Sequence, residues 1–201
     1  MRSSDLTLSQ YNTDKIENHY LEIYDQIFEP LIENRIILLE IGVNKGGSLL
    51  LWRDYFPYGR IVGIDISLPQ NLKPMERVKV FKGSQTDRQF LSDVAMKTAP
   101  GGYDIIIDDA SHIGKFTKIS FWHLFDNHLK PGGIYVIEDW GTGYWDDWPD
   151  GKSINFTKTL KSVDTKIFSA PVFQKILKIM KIKTPIHCHS YGMVGFIKEL
   201  V

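Results

Sequence analysis

Three observations predict a doubly wound α/β fold, a mostly parallel seven-stranded sheet with an antiparallel C-terminal hairpin. Short β-rich apolar runs alternate with longer amphipathic stretches, a glycine-rich turn follows the first run, and acidic residues end the later ones. Strands are expected at 36–41, 61–66, 78–81, 103–108 and 134–138. Most are nearly continuous in Ile, Val, Leu or Tyr, as strands covered on both faces should be. Helices are expected at 16–28, 48–55, 87–97 and 115–129, the last stopped by Lys130-Pro131-Gly132-Gly133. Residues 139–153, rich in Trp, Asp and Gly, read as a loop. Residues 165–181 read as a helix, and 185–189 with 192–199 as two closing strands. Lys175, Lys178, Lys181 and Lys183 recur at near-helical spacing among apolar residues, the pattern of a solvated face.

No repeat or low-complexity tract divides the chain, so residues 1–201 read as one domain, long enough for a full hydrophobic core. Lys+Arg and Asp+Glu balance at 24 each, which leaves no global field to draw the protein onto nucleic acid or an anionic membrane. A small-molecule partner is expected instead. No apolar run approaches the roughly 18 to 20 residues of a membrane span, and the first residues lack a signal-peptide core, so the expected location is cytoplasmic. Cys188 is the single cysteine, which excludes an internal disulfide and a thiolate cluster and reads as a small buried apolar residue.

The first strand runs into Leu39-Glu40-Ile41-Gly42-Val43-Asn44-Lys45-Gly46-Gly47-Ser48. A glycine-rich turn at that place is where doubly wound sheets bind nucleotides. Gly42 allows a tight turn, Gly46 and Gly47 allow a ligand near the backbone, and Ser48 can cap the next helix. Asp65, at the end of the second strand, suits the two hydroxyls of a ribose. A pyrophosphate fingerprint needs a second glycine where Asn44 stands, and Glu40 would repel a pyrophosphate while it can orient groups near the cationic amino-acid half of S-adenosylmethionine (SAM). SAM is therefore the expected cofactor. Ser84 and Gln85, after the third strand, are candidates for the adenine edge.

Strand four ends Asp108-Asp109-Ala110-Ser111-His112 and strand five ends Glu138-Asp139-Trp140. Four carboxylates at neighbouring strand ends need protonation or a cation. An all-oxygen set suits Mg²⁺, with Mn²⁺ or Ca²⁺ as substitutes. Asp109, Glu138 and Asp139 are the expected ligands, while Asp108, pointing the other way along an extended chain, faces the cofactor. His112 is the candidate general base, since it titrates near neutrality and an alcohol acceptor needs activation.

At these residues the sequence resembles the metal-dependent sugar O-methyltransferases of macrolide biosynthesis, which are class I SAM-dependent methyltransferases. The resemblance is carried by Asn12-Thr13-Asp14-Lys15 with His19 and Tyr20, by Leu39-Glu40-Ile41-Gly42 and by Trp52-Arg53-Asp54-Tyr55-Phe56. It continues through Ile107-Asp108-Asp109-Ala110-Ser111-His112 and Lys130-Pro131-Gly132-Gly133 to Glu138-Asp139. It implies that Asp109, Glu138 and Asp139 hold Mg²⁺, that His112 deprotonates a sugar hydroxyl, and that the protein is a homo-oligomer. Asn12 and Ala110 stand where such enzymes usually have Gly, and Ser84 where an acid is common. A catechol-type acceptor fits the same carboxylates. A nicotinamide-dependent oxidoreductase would leave them without a purpose, and a non-catalytic SAM-binding module would not need them.

Overall fold

The computed structural model describes residues 3–145, 147–154 and 192–201. The chain divides into two compact units, Met1–Ser111 with Ile119–Glu138, and His112–Lys118 with Asp139–Val201. In the first unit all five expected strands form: β1 (Ile37–Ile41), β2 (Arg60–Asp65), β3 (Val78–Lys82), β4 (Tyr103–Asp108) and β5 (Leu129–Ile137). They pair in the order β3-β2-β1-β4-β5, and every neighbouring pair is parallel. The chain lays β2 and β3 on one side of β1 and returns to place β4 on the other. The carboxyl ends of β1 and β4 are thus the topological switch point.

Every residue of β1 is buried, and successive side chains enter opposite cores. Leu38 joins a cluster with Tyr24 and Phe28 of α1 (Tyr20–Phe28) and Trp52 of α2 (Gly47–Tyr55). Ile37, Leu39 and Ile41 join Leu91, Val94 and Ala95 of α3 (Arg88–Thr98) and Leu124 of α4 (Gly114–His128). Helices on both faces explain why β1 and β4 read as nearly continuous apolar runs. The first core is aromatic: Tyr24, Phe28, Trp52, Tyr55 and Phe56 lie ring on ring, with Tyr24 and Trp52 edge to face at 5.0 Å.

Five strands are described rather than seven, and two details of the sequence reading change. Leu129 pairs with Tyr103 and Ile134 with Ile105, so Lys130-Pro131-Gly132-Gly133 is an irregularity inside β5 and not a turn before it. Lys130 holds that irregularity by donating to both carboxylate oxygens of Asp104 at 2.8 Å. In the second unit, residues 139–153 are not all loop: a 3₁₀ turn spans Trp140–Tyr144 and a short helix α5 spans Pro149–Ile154.

The expected closing strand 192–199 is instead helix α6 (Gly192–Leu200). A continuous run such as Met193-Val194-Gly195-Phe196-Ile197 satisfies a buried strand and a buried helix alike, so periodicity alone did not separate them. The tertiary structure separates them through Asp150, whose Oδ2 accepts from the backbone N–H of Gly114 at 2.7 Å and of Met193 at 2.8 Å. One carboxylate thus satisfies orphan donors at the N-termini of α4 and α6. Residues 165–181, the four lysines there, 185–189 and Cys188 lie outside the described residues. No described helix is long and apolar enough to cross a membrane.

Two outcomes are expected. Asp150→Ala should lower stability by about 1–2 kcal/mol, and native-state hydrogen exchange should show faster exchange at the Gly114 and Met193 amides than at the core strands. The second concerns Ser92, whose hydroxyl lies 2.9 Å from His123 Nε2 and 3.0 Å from His128 Nε2. Burial, helped by Arg88 at His123 and by His123 at His128, holds both imidazoles below their ordinary pKa. A depressed histidine contributes stability above its unfolded pKa of about 6.5 and loses it as pH falls toward the folded value. Urea midpoints should therefore drop from pH 7.5 to 5.5 more steeply in the wild type than in His128→Asn, and equal slopes would remove the histidines as the cause.

Candidate active site

In the first unit the site grows from the end of β1. Gly42 adopts φ +101°, and a Cβ built there would meet the carbonyl oxygen of Asp109 at 2.1 Å. Only glycine lets the turn after β1 rest directly on the backbone after β4. Gly46 is the N-cap of α2 at φ +84°, so Ser48 lies inside the helix and is not its cap. Its hydroxyl instead donates to Glu40 Oε2 at 2.7 Å. At Gly47 the close neighbour is the Asn12 carbonyl, whose oxygen would lie 2.0 Å from any Cβ, so that glycine admits the N-terminal segment rather than a ligand.

Asp65 is half-buried and fixed by the same turn. Its Oδ2 accepts from the backbone N–H of Val43 at 2.8 Å and of Asn44 at 3.1 Å, and its Oδ1 from Ser67 N–H at 2.8 Å. A carboxylate held by three amides has a set direction and retains lone pairs for a ribose. After β3, Ser84 shares a hydrogen bond with Thr86 at 2.9 Å. Gln85 is buried: its amide nitrogen lies 3.4 Å from Asp108 Oδ1 and 3.3 Å from Ser120 Oγ, and its oxygen accepts from Ser111 N–H at 3.2 Å. Gln85 thereby ties the loop after β3 to the loop after β4. Asp108 is buried too, and accepts from Ser120 at 2.6 Å and Tyr135 at 3.3 Å. Desolvation pushes its carboxyl up to about 7.

Three further carboxylates converge on one ammonium that the sequence reading gave no role. Lys15 is fully buried. Its Nζ donates to Asp109 Oδ2 and to Glu138 Oε2, the latter at 2.8 Å, and lies 3.5 Å from Glu40 Oε1. Trp52 Nε1 donates to the same Glu40 oxygen at 3.1 Å, and the Tyr24 hydroxyl donates to Glu138 Oε1. Burial alone would lower the lysine, but Glu40, Glu138 and Asp109 outweigh it and hold its pKa above the ordinary value. Burial raises Glu40 and Glu138 against the pull of Lys15. The available signal was electrostatic: acids at neighbouring strand ends need protonation or a cation, and Lys15 supplies a positive group among them.

The donor chemistry of Asp109 and Glu138 fits a hard divalent ion, because both present carboxylate oxygens and each oxygen carries more than one lone pair. In the second unit, His112 Nε2 lies 3.8 Å from Asp139 Oδ2, and the His112 ring lies 5.8 Å from that of Trp148. Both His112 (φ 51°) and Asp139 (φ 52°) hold left-handed backbone conformations. Such outliers persist where surrounding structure imposes them. Here Thr142 does so: its hydroxyl donates to the His112 carbonyl at 3.2 Å and its N–H to the Asp139 carbonyl at 3.1 Å. Trp140 and Trp145 are exposed. His19 is exposed beside Glu22 at 3.3 Å.

No family model matches the chain. It is 40% identical over 129 residues to the mycinamicin VI 2''-O-methyltransferase of Micromonospora griseorubida, covering 61% of this chain and 31% of that one. It is 38% identical over 144 residues to the 8-demethyl-8-alpha-L-rhamnosyl tetracenomycin-C 2'-O-methyltransferase of Streptomyces olivaceus, covering 68% and 37%. The chain thus spans about a third of the length of the curated relatives it matches. Among solved structures it matches the MycE methyltransferase of the mycinamycin biosynthetic pathway in complex with Mg and SAH, with TM-score 0.60 and 35% identity over 71% of this chain and 42% of that one. A second MycE structure, with Mg, SAH and mycinamycin VI, matches with TM-score 0.59 and 36% identity over 70% and 39%. The first unit thus has the class I methyltransferase fold, and roughly three fifths of the chain is similar in sequence to natural-product sugar O-methyltransferases.

Proposed function

We propose that this chain serves a SAM-dependent, divalent-metal-dependent O-methyltransferase acting on a hydroxyl of a small molecule, a sugar or deoxysugar of a natural product or of a glycan precursor. One juxtaposition carries the reading: the Gly42 turn, suited to SAM, rests on the Asp109 backbone, the first residue of the acidic strand end. The electrophile and the group that activates the nucleophile are then adjacent. The named relatives methylate sugar hydroxyls, and the MycE structures hold Mg and SAH, which supports the same chemistry here.

In this reading Asp65 receives the ribose hydroxyls, because its amide contacts leave it aimed and still able to accept. Glu40 braces the helix that follows the cofactor turn through Ser48 and Trp52. Gly42 and Gly46 shape the turn, Ser84 and Gln85 border the adenine, and Asp108 fixes Gln85. Asp109, Glu138 and Asp139 hold Mg²⁺, which when bound lowers the pKa of an acceptor hydroxyl. His112 takes the proton from that oxygen, and Thr142 holds its left-handed backbone through the carbonyl. The exposed faces of Trp140 and Trp145 suit the apolar face of a sugar ring.

Isothermal calorimetry should show stoichiometric SAH binding and no NAD binding; the reverse would overturn the cofactor. Methyl transfer to a deoxysugar-bearing macrolide should stop in excess EDTA and resume with Mg²⁺, whereas full activity in EDTA would return the carboxylates to a structural role. His112→Ala should bind SAH and melt as the wild type does while turnover falls by about 10²- to 10⁴-fold.

A further inference from the structure

We propose that Lys15 is a resident counter-cation that assembles the Asp109 and Glu138 carboxylates ahead of any divalent ion, so that the ion is required for chemistry and not for folding. The proposal deepens the function above and rests on its reading of Asp109 and Glu138 as ligands.

The geometry carries it. A single buried Nζ reaches carboxylates from three strand ends: Glu40 of β1 at 3.5 Å, Asp109 after β4, and Glu138 after β5 at 2.8 Å. With all three carboxylates ionised they outnumber the single ammonium three to one, so Lys15 balances part of their charge and leaves a net negative charge for a divalent cation to offset. The ammonium is therefore the first half of a two-part compensation. Without it, buried Glu40 and Glu138 and half-buried Asp109 would sit together without the ammonium that the described residues place among them, an arrangement more costly than the paired one. Lys15 is also anchored for this duty. Its backbone N–H donates to Thr13 Oγ1 at 3.4 Å, its carbonyl accepts from Tyr20 N–H at 3.0 Å, and the preceding Asn12 carbonyl abuts Gly47. The segment that carries the cation is thus seated on the helix that follows the cofactor turn. Lys15 acts through Asp109 and Glu138, which makes it a positioning residue.

Thermal unfolding in excess EDTA and in excess MgCl₂ separates this role from packing. The wild type should fold in both buffers and gain only the few degrees that Mg²⁺ binding to the folded state itself gives, whereas Lys15→Met, similar in length but neutral, should lose about 10 °C in EDTA and regain at least half of it with Mg²⁺. The double variant Lys15→Met/Glu138→Gln removes one negative charge with the positive one, so in EDTA it should melt above Lys15→Met and fold even where the single variant does not. Lys15→Met melting like the wild type in EDTA, an equal loss in both buffers, or no recovery in the double variant would each overturn the proposal. Wild-type calorimetry keeps the two readings apart: SAH binding without Mg²⁺ binding would overturn the metal assignment, while recovery in the double variant would still stand for the counter-charge.

Discussion

Carboxylates drawn out of water beside one another repel, and the first unit is organised around the way that repulsion is relieved. Glu40 sits near the carboxyl end of β1, a strand whose residues are all buried, and it would be an error of patterning without its partners. Lys15, Ser48 and Trp52 supply them. Trp52 belongs at once to the aromatic core and to this polar network, so the packing of α1 and α2 against the sheet and the orientation of the acidic strand ends are set by shared side chains. Tyr24 joins them in the same way, with its ring against Phe28 and Trp52 and its hydroxyl on Glu138.

The cofactor side follows from a second, simpler constraint. A parallel sheet that reverses its winding order leaves a crevice at the carboxyl ends of β1 and β4, and the backbone there must turn without side-chain bulk. Gly42 meets that demand, and Asp65 locks the turn from β2 by accepting two of its amides. Asp65 therefore both shapes the turn and presents an acceptor beside it. Gln85 extends the same device to the third strand by bridging toward Asp108 and Ser111.

The likeness to sugar O-methyltransferases extends over much of this chain but about a third of theirs. In the second unit, His112 and Asp139 both adopt backbone conformations that non-glycine residues rarely hold. Thr142 binds both carbonyls, so a residue with no chemistry of its own imposes the local geometry of two that the proposed mechanism uses.

The sequence by itself determined the sheet of the first unit. Strand positions, the parallel pairing and the glycine turn were legible because burial on both faces leaves continuous apolar runs and because a tight turn admits few residues. It also located Asp65, Asp108, Asp109 and Glu138 at strand ends, since a period of two assigns each residue a place along an extended chain. Only the tertiary structure decided what those groups meet. Lys15 is separated from Asp109 by 94 positions and from Glu138 by 123, and no local pattern reports a contact at that range. Ser48 looked like a helix cap because caps favour serine, but Glu40 on the preceding strand took its hydroxyl while Gly46 ended the turn. The run from Gly192 became a helix for the same kind of reason: its apolar residues suit either conformation, and the deciding hydrogen bond comes from Asp150, 43 positions away.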